Sequence, residues 1–202
     1  MVKKIVIVGP ESTGKSTLCE QLAQHFHTRW CPEFAREYLL SNGTPYTFEQ
    51  LLEIAKGQLA MENEYAQQIE NSWSWLENEQ CWINASSLIT TQHAPILFID
   101  TDMYVMKVWC EYVFGKCHPF ILDEIAKRQY HGYLLCSPDL PWVKDELREY
   151  PDDKYRVELF HIYKDLLVNQ TTPWEVVSGS YEERLQQAIV SVKSIISANE
   201  MH

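Results

Sequence analysis

Short apolar blocks alternate along this chain with longer stretches in which apolar residues recur every three or four positions. The blocks at residues 4–8, 95–100 and 133–136 are apolar nearly throughout, which predicts strands buried on both faces. Shorter blocks at residues 28–31 and 174–177 predict two further strands. Helical periodicity covers residues 15–27, 33–40, 47 to the seventies, 103–114, 119–130, a stretch ending near 168, and 181–198. Strands alternating with helices predict an α/β fold, a parallel sheet with helices on both faces.

One segment does not fit this alternation. Residues 73–94 carry Trp73, Trp75 and Trp82 among acidic residues, followed by a stretch rich in Ser, Thr and Gln. This composition predicts an insertion or a surface hairpin. The chain contains no internal repeat, interdomain linker or low-complexity tract, so residues 1–202 are predicted to form a single domain.

The charge balance restricts the partners of this chain. It has 17 Lys and Arg against 28 Asp and Glu, a formal net charge of −11, whereas phosphate backbones reward clustered basic residues. No apolar run approaches the roughly 20 residues of a membrane span. The six cysteines are scattered without a CxxC pair, as expected for reduced thiols. We therefore expect a cytoplasmic protein with neither a nucleic acid nor a membrane as partner.

The strongest chemical signal lies directly after the first predicted strand. Residues 9–16 (GPESTGKS) match the GxxxxGK[ST] phosphate loop at every fixed position, with a helix following. Glycines let backbone N–H groups turn toward phosphates, and the helix adds its positive end. Lys15 would reach the β- and γ-phosphates and Ser16 would ligate Mg²⁺. The alternative is a strand–turn–helix that binds no phosphate. The context instead predicts a P-loop NTPase fold that binds nucleotide phosphates, without naming the nucleotide. The predicted binding residues are Gly9, Glu11, Ser12, Thr13, Gly14, Lys15, Ser16 and Thr17.

Two carboxylates lie at the carboxyl end of the strand at residues 95–100. Asp100 ends a run of four apolar residues, the position from which a carboxylate holds the Mg²⁺ shell. If the chain stays extended, Asp102 points the same way. One acid would then order metal-bound water while the other holds or deprotonates a substrate hydroxyl. The alternative role of Asp102 is to cap the helix at 103–114, which does not exclude a catalytic one.

A second polar pair follows the short strand at residues 28–31. Glu33 and Arg36 are one helical turn apart and should share a face. At that edge of the sheet they could contact an acceptor substrate. The alternative is a surface ion pair between the two side chains.

Taken together, these residues and several further motifs resemble the ribosylnicotinamide kinase domain of the NadR family, within the P-loop kinases. The phosphate loop alone is generic, but the set is specific and covers nearly the whole chain in the family's order. Its members are residues 8–17 (VGPESTGKST), 32–38 (PEFAREY), 54–59 (IAKGQL), 98–102 (FIDTD), 107–109 (KVW), 141–148 (PWVKDELR) and 178–184 (SGSYEER).

The resemblance implies a reaction. It implies transfer of a phosphoryl group from ATP, with Mg²⁺, to the 5′-hydroxyl of nicotinamide riboside, giving nicotinamide mononucleotide. The alternatives are another nucleoside or deoxynucleoside kinase, or a P-loop module that senses nucleotides with little turnover. The chain contains no His-x-Gly-His sequence, so we expect it to make the mononucleotide but not, by itself, the dinucleotide. The oligomeric state is left open.

The resemblance also implies a helical lid at about residues 141–156. Cationic lid side chains would neutralise charge on the transferring phosphoryl group, and the candidates are Lys144, Arg148, Lys154 and Arg156. Arg148 is the main one, beside Lys15, Asp100 and Asp102 as catalytic residues. A solvated mixed-charge helix is the alternative. Family members usually have Gly where this chain has Glu146.

Three other residues receive roles by the same route. Trp142 could stack on the nicotinamide ring, whose positive charge favours an aromatic face, although a Trp is also a common core residue. Trp109 lies inside an apolar helical pattern and is predicted to belong to the core. The resemblance also implies that Arg184 lies near the adenine of ATP.

Overall fold

A parallel sheet forms the centre of the protein. The computed structural model describes residues 2–145, 147 and 152–199. In these parts of the chain the sheet has five parallel strands, which are β1 (Lys3–Val8), β2 (Arg29–Cys31), β6 (Ile96–Asp100), β7 (Gly132–Cys136) and β8 (Trp174–Val177). They lie in the order β2-β6-β1-β7-β8. The predicted parallel α/β sheet is confirmed, and its central strand is the one that precedes the phosphate loop.

Helices cover both faces of this sheet because consecutive strand residues point to opposite sides. The helices are α1 (Lys15–His25), α2 (Phe34–Asn42), α3 (Phe48–Ser72), α4 (Met103–Phe114), α5 (Pro119–Lys127), α6 (Asp153–Val168) and α7 (Tyr181–Asn199). One face, with Ile5 and Ile7, packs against α1 and α7, and the other, with Val6 and Ile99, packs against α3, α4 and α6. None of the described helices is both long and apolar enough to cross a membrane.

The segment with the three Trp residues forms a small sheet of its own. Strands β3 (Trp73–Leu76), β4 (Cys81–Asn84) and β5 (Thr90–Thr91) pair in the order β3-β4-β5, and each strand runs antiparallel to its neighbour. β3 follows α3 directly, and the first residue of β3, Trp73, is buried in the main core. This burial attaches the small sheet to the rest of the domain. The predicted hairpin is therefore confirmed as β3–β4, and its origin as an insertion stays a prediction.

The strand order creates a crevice at one edge of the main sheet. From β1 the chain passes through α1 to β2 on one side of the sheet, and from β6 it passes through α4 and α5 to β7 on the other side of β1. Ligands of open α/β sheets bind where neighbouring connections diverge in this way, outside the carboxyl ends of the strands. The phosphate loop follows β1 and Asp100 ends β6, so both lie at this crevice.

Candidate active site

At two positions, the backbone of the phosphate loop has a positive φ that favours glycine. Gly9 has φ +140°, and a Cβ added there would lie 2.8 Å from the carbonyl oxygen of Cys136. Gly14 has φ +77° and is the N-cap of α1, which begins at Lys15. The first turn of α1 carries no acidic residue and no side chain caps it. The loop and the helix end therefore form a cradle for an anion.

Two side chains of the loop turn toward its interior. The Lys15 Nζ donates to the carbonyl oxygen of Pro10 at 2.9 Å, and the Thr13 hydroxyl donates to the same oxygen at 2.8 Å. The predicted phosphate-loop residues all line one cleft of about 590 Å³. The Lys15 ammonium thus lies inside the loop. A bound phosphate would replace the Pro10 carbonyl as its hydrogen-bond acceptor.

Asp100 and Ser16 meet at the carboxyl end of β6. The Ser16 hydroxyl donates to Oδ2 of Asp100 at 2.5 Å. The second oxygen, Oδ1, is buried and has no hydrogen-bond partner among the described residues. Burial raises the pKa of Asp100, and the Lys15 ammonium opposes this rise. Hard oxygen donors of this kind are what Mg²⁺ prefers, so the pair fits the predicted metal, which would supply the missing partner.

Glu33 brings a second carboxylate to the cleft. It follows β2, the neighbour of β6, and is the N-cap residue of α2. It lines the cleft together with Asp100 and Lys15. The pKa of Glu33 is raised, first by burial and then by the negative charge of Asp100. A carboxylate with a raised pKa inside a cleft is a candidate proton acceptor.

Arg36 lies at the mouth of the same cleft. Its guanidinium binds Asp145 with two hydrogen bonds, from Nη1 to Oδ1 at 3.2 Å and from Nη2 to Oδ2 at 2.8 Å. Both residues line the cleft. The structure therefore pairs Arg36 across the cleft mouth with the segment before α6, and both Glu33 and Arg36 reach the predicted site.

Asp102 does not point with Asp100, and the expectation of an extended chain is wrong. Thr101 has φ +81°, which turns the chain between the two acids. Asp102 is completely buried. Its Oδ1 accepts from the backbone N–H of Tyr104 at 3.0 Å and of Val105 at 3.2 Å, and its Oδ2 accepts from the Tyr133 hydroxyl at 3.1 Å. Asp102 is therefore the N-cap of α4, and it is absent from the described lining of the cleft.

The environment of Asp102 makes this role testable. Burial raises its pKa from 3.8 to about 7, and the hydrogen bonds from Val105 and Tyr133 oppose the rise. Because the folded pKa is raised, the protonated form is favoured in the native state. The contribution of Asp102 to stability is then full below about pH 4 and is lost as the pH rises to about 7.

We expect Asp102→Asn to keep turnover within about threefold of wild type, because Asn also caps helices well. Between about pH 4 and pH 7, the free energy of unfolding of wild type should fall relative to that of the variant as the pH rises. Urea unfolding at several pH values and steady-state kinetics measure the two effects. A drop in turnover by about two orders of magnitude or more, as for the loss of a general base, would return Asp102 to the catalytic machinery.

Trp142 contacts the phosphate loop and not the apolar part of the cleft. Its indole N–H donates to Oε1 of Glu11 at 3.1 Å, and the next residue, Val143, donates its backbone N–H to the Ser12 hydroxyl at 3.0 Å. Among the described residues that line the cleft, Trp142 is missing. The predicted stacking on a nicotinamide ring is not what this geometry provides, because residues 141–143 lie against the loop.

The remaining lid predictions fall largely outside the described part of the chain. Arg148 and Glu146 lie outside the described residues. Residues 141–145 have no helix, and α6 begins at Asp153. Arg148 as a catalytic residue and the lid at 141–156 stay predictions.

Arg184 supports the phosphate loop from behind. Its side chain is 1% exposed, so no ligand can reach it. It donates to the carbonyl oxygens of Thr13 at 3.2 Å, Ser137 at 2.9 Å and Gly179 at 2.8 Å, and it also pairs with Asp139. The predicted contact with ATP is therefore wrong, since the guanidinium is used by protein acceptors.

Arg156 acts in the same way from the start of α6. It is equally buried and donates through Nη2 to the carbonyl oxygens of Ser12 at 3.2 Å and Leu140 at 2.8 Å. Two buried arginines thus hold consecutive carbonyls of the phosphate loop. These contacts fix two neighbouring peptide groups of the loop.

The other part of the cleft is apolar and aromatic. Helix α4 contributes a stripe of residues spaced three or four apart, and α6 adds Leu159 and Tyr163. Trp109 belongs to this stripe. It packs against the core, as predicted, and in addition it lines the cleft. The stripe consists of Val105, Val108, Trp109, Tyr112 and Val113.

Sequence reasoning therefore missed the aromatic residues of this wall. The spacing of the α4 stripe was visible, but the same spacing is typical of a helix face that packs against a core. Among the described residues, the aromatic side chains that line the cleft are Trp30, Trp109, Tyr112, Tyr163 and Tyr181.

The fold and the phosphate site define a P-loop nucleotide-binding protein. A family model described as an AAA domain matches residues 4–184, and the chain belongs to this family. The architecture is that of a NadR-like P-loop kinase domain.

The particular relatives are NadR proteins. The trifunctional NAD biosynthesis/regulator protein NadR of Escherichia coli is 23% identical over 197 residues, which are 96% of this chain and 43% of that protein. NadR of Salmonella typhimurium is 25% identical over the same shares of both chains. The chain therefore spans less than half the length of these relatives.

Two solved structures share the fold. A crystal structure of NadR protein in complex with NR superposes with a TM-score of 0.68 at 20% identity, over 97% of this chain and 50% of that one. A NadR structure in complex with NAD and AMP-PNP gives a TM-score of 0.64 at 20% identity over the same shares. These similarities show that the chain shares the fold of the NadR structures.

Proposed function

We propose that this protein transfers the γ-phosphoryl group of ATP to the 5′-hydroxyl of nicotinamide riboside, giving nicotinamide mononucleotide. The observation that carries the proposal is one cleft with two chemically different parts. Lys15, Ser16 and Asp100 form a polar part fitted to a triphosphate, whereas α4 and α6 supply an aromatic wall. The NadR structures bound to NR and to AMP-PNP support the same pair of substrates.

The dimensions and charges of the cleft agree with a cationic riboside. A volume of about 590 Å³ falls in the range of roughly 300–1,000 Å³ for small-molecule sites. The ring of nicotinamide riboside carries a positive charge, which the face of Trp109 or Tyr112 would attract. The carboxylates of Glu33 and Asp100 add negative charge to the same cleft.

The roles of the side chains follow from their positions. The N–H groups of the phosphate loop and the Lys15 ammonium would hold the phosphates of ATP. Ser16 and Asp100 would hold Mg²⁺, which when bound neutralises phosphate charge. The cleft lining also contains Glu11, which accepts from the Trp142 indole, and Asp145, which binds Arg36. Because Asp102 caps α4 and Asp100 is assigned to the metal, we assign the role of proton acceptor to Glu33, whose pKa is raised.

The transfer itself then needs one proton acceptor. Glu33 takes the proton of the 5′-hydroxyl while that oxygen forms a bond to the γ-phosphorus and the bond to the bridging oxygen of ADP breaks. Its raised pKa brings its basicity closer to that of neutral solution, which favours proton transfer. Arg148 is proposed to neutralise charge on the moving phosphoryl group.

A coupled assay of ADP release tests the proposal. The acceptors are nicotinamide riboside, cytidine, uridine and thymidine, each with ATP and Mg²⁺. We expect turnover with nicotinamide riboside to exceed that with the neutral nucleosides. Turnover with thymidine but not with nicotinamide riboside would indicate a deoxynucleoside kinase. Binding of ATP without acceptor-dependent turnover would indicate a nucleotide-sensing module.

A further inference from the structure

The cleft wall contains a tryptophan whose polar edge is held from outside the cleft. The Trp109 indole N–H donates to the Tyr46 hydroxyl oxygen at 2.7 Å. The two rings also pack edge to face, with centroids 4.9 Å apart and planes at 77°. Tyr46 lies between α2 and α3 and is not part of the cleft lining in the described chain. Tyr46 can therefore influence a ligand in the cleft only through the Trp109 indole.

Tyr46 is itself held by a group of aromatic residues behind the wall. Its ring lies 6.2 Å from that of Phe114, which lies 5.7 Å from Phe48, and Phe48 stacks on His118 at 3.7 Å. Phe48 begins α3 and Phe114 ends α4. The aromatic residues that hold Tyr46 are thus anchored at the start of α3 and the end of α4.

This arrangement decides what Trp109 can offer to a ligand. An indole has a single hydrogen-bond donor and no acceptor, and that donor is already used by Tyr46. Only carbon atoms of Trp109 remain for the cleft. A wall of this kind discriminates ligands by stacking and by charge on the ring, because it makes no hydrogen bond to a base edge.

We propose that Tyr46 is a positioning residue that fixes the Trp109 indole as the contact surface for the ring of the acceptor, and so sets a preference for a cationic ring over a neutral one. The inference rests on the proposed function, since it concerns the acceptor of that reaction. It adds a residue outside the cleft to those that determine specificity. A locked indole contributes its full contact with the ring, whereas a mobile one loses part of it in ordering.

The test compares two matched variants. Tyr46→Phe removes the hydroxyl that holds Trp109, and Tyr38→Phe removes a hydroxyl that donates to Glu53 at 2.6 Å, away from the cleft lining. For Tyr46→Phe we expect KM for nicotinamide riboside to rise about fivefold, as for the loss of one hydrogen bond. Its kcat and its KM for ATP should stay within about twofold, and its KM for the neutral nucleoside uridine should rise less than that for the riboside. Tyr38→Phe should change none of these constants.

A double-mutant cycle separates positioning from a general loss of stability. Trp109→Phe keeps an aromatic ring but lacks the N–H, so adding Tyr46→Phe to it should leave KM for the riboside unchanged. If Tyr46→Phe lowers the melting temperature strongly, both variants and wild type are compared at a temperature where all are folded, and a rise in KM for the riboside without a rise in KM for ATP still supports the inference. Additive effects of the two changes, or equal effects on KM for ATP, would overturn the inference.

The outcomes also separate the inference from the function on which it rests. Wild-type turnover of nicotinamide riboside with no difference between Tyr46→Phe and Tyr38→Phe overturns the inference alone. Absence of wild-type turnover with nicotinamide riboside overturns the proposed function and the inference with it.

Discussion

Glu33→Gln is expected to lower kcat for nicotinamide riboside by about 10²–10⁴-fold, the typical contribution of a general base. The amide fills the same space but cannot accept the proton of the 5′-hydroxyl. The affinity for ATP should stay close to that of wild type, because the phosphate loop and Lys15 are unchanged. Steady-state kinetics and calorimetric titration with a nonhydrolysable ATP analogue measure the two quantities.

The same variant has a predicted effect on stability. The pKa of Glu33 is raised above its ordinary 4.5 in the folded protein, so folding favours the protonated form. The stability that Glu33 contributes is present at low pH and is lost as the pH rises through the raised pKa. Glu33→Gln removes that loss and should be the more stable protein at neutral pH.

A neighbouring carboxylate provides the control for both effects. Glu37 lies on the same helix and is exposed, so Glu37→Gln should change neither kcat nor the pH dependence of unfolding by more than a small amount. The acidic limb of the wild-type kcat profile should report the raised pKa of Glu33. Full activity of Glu33→Gln would remove Glu33 from the role of proton acceptor.

Lys15→Ala is expected to lower turnover by about 10³-fold or more, as for the loss of a charged group that stabilises the transferring phosphoryl group. The fold should persist, because the variant gives up a single hydrogen bond from the Lys15 ammonium to the carbonyl of Pro10. Lys127→Ala is the control, since that side chain is 67% exposed on α5. Both variants are compared by ADP release and by thermal unfolding. Retained activity of Lys15→Ala would mean that the loop is not the phosphate site.

The features that were predictable from sequence are those set by local chemistry. Residues 5–8 of the first strand are all apolar and all buried, and a run of this kind can be recognised without knowledge of its neighbours. The phosphate loop was equally readable, because Gly9 and Gly14 occupy backbone conformations that other residues rarely adopt. Alternation of strands and helices then sufficed to predict the parallel sheet.

The features that were not predictable depend on one dihedral angle or on tertiary packing. The direction of Asp102 is set by the positive φ of Thr101, an unusual value for a β-branched residue. The place of Trp109 in the cleft wall was hidden, because an aromatic residue on an apolar helix face fits a core and a cleft wall equally well. Arg184 reaches the carbonyl of Thr13 across 171 positions of sequence, a contact that no local pattern encodes.

The most direct test of the proposed function is the identity of the phosphorylated product. Purified protein is incubated with ATP, Mg²⁺ and nicotinamide riboside, and the product is examined by phosphorus NMR with proton coupling retained. The proposed function predicts a new phosphomonoester resonance that is split by the two protons at C5′, with ADP formed in equal amount. ADP formed only with inorganic phosphate, or a phosphomonoester obtained only with a neutral nucleoside, would contradict it.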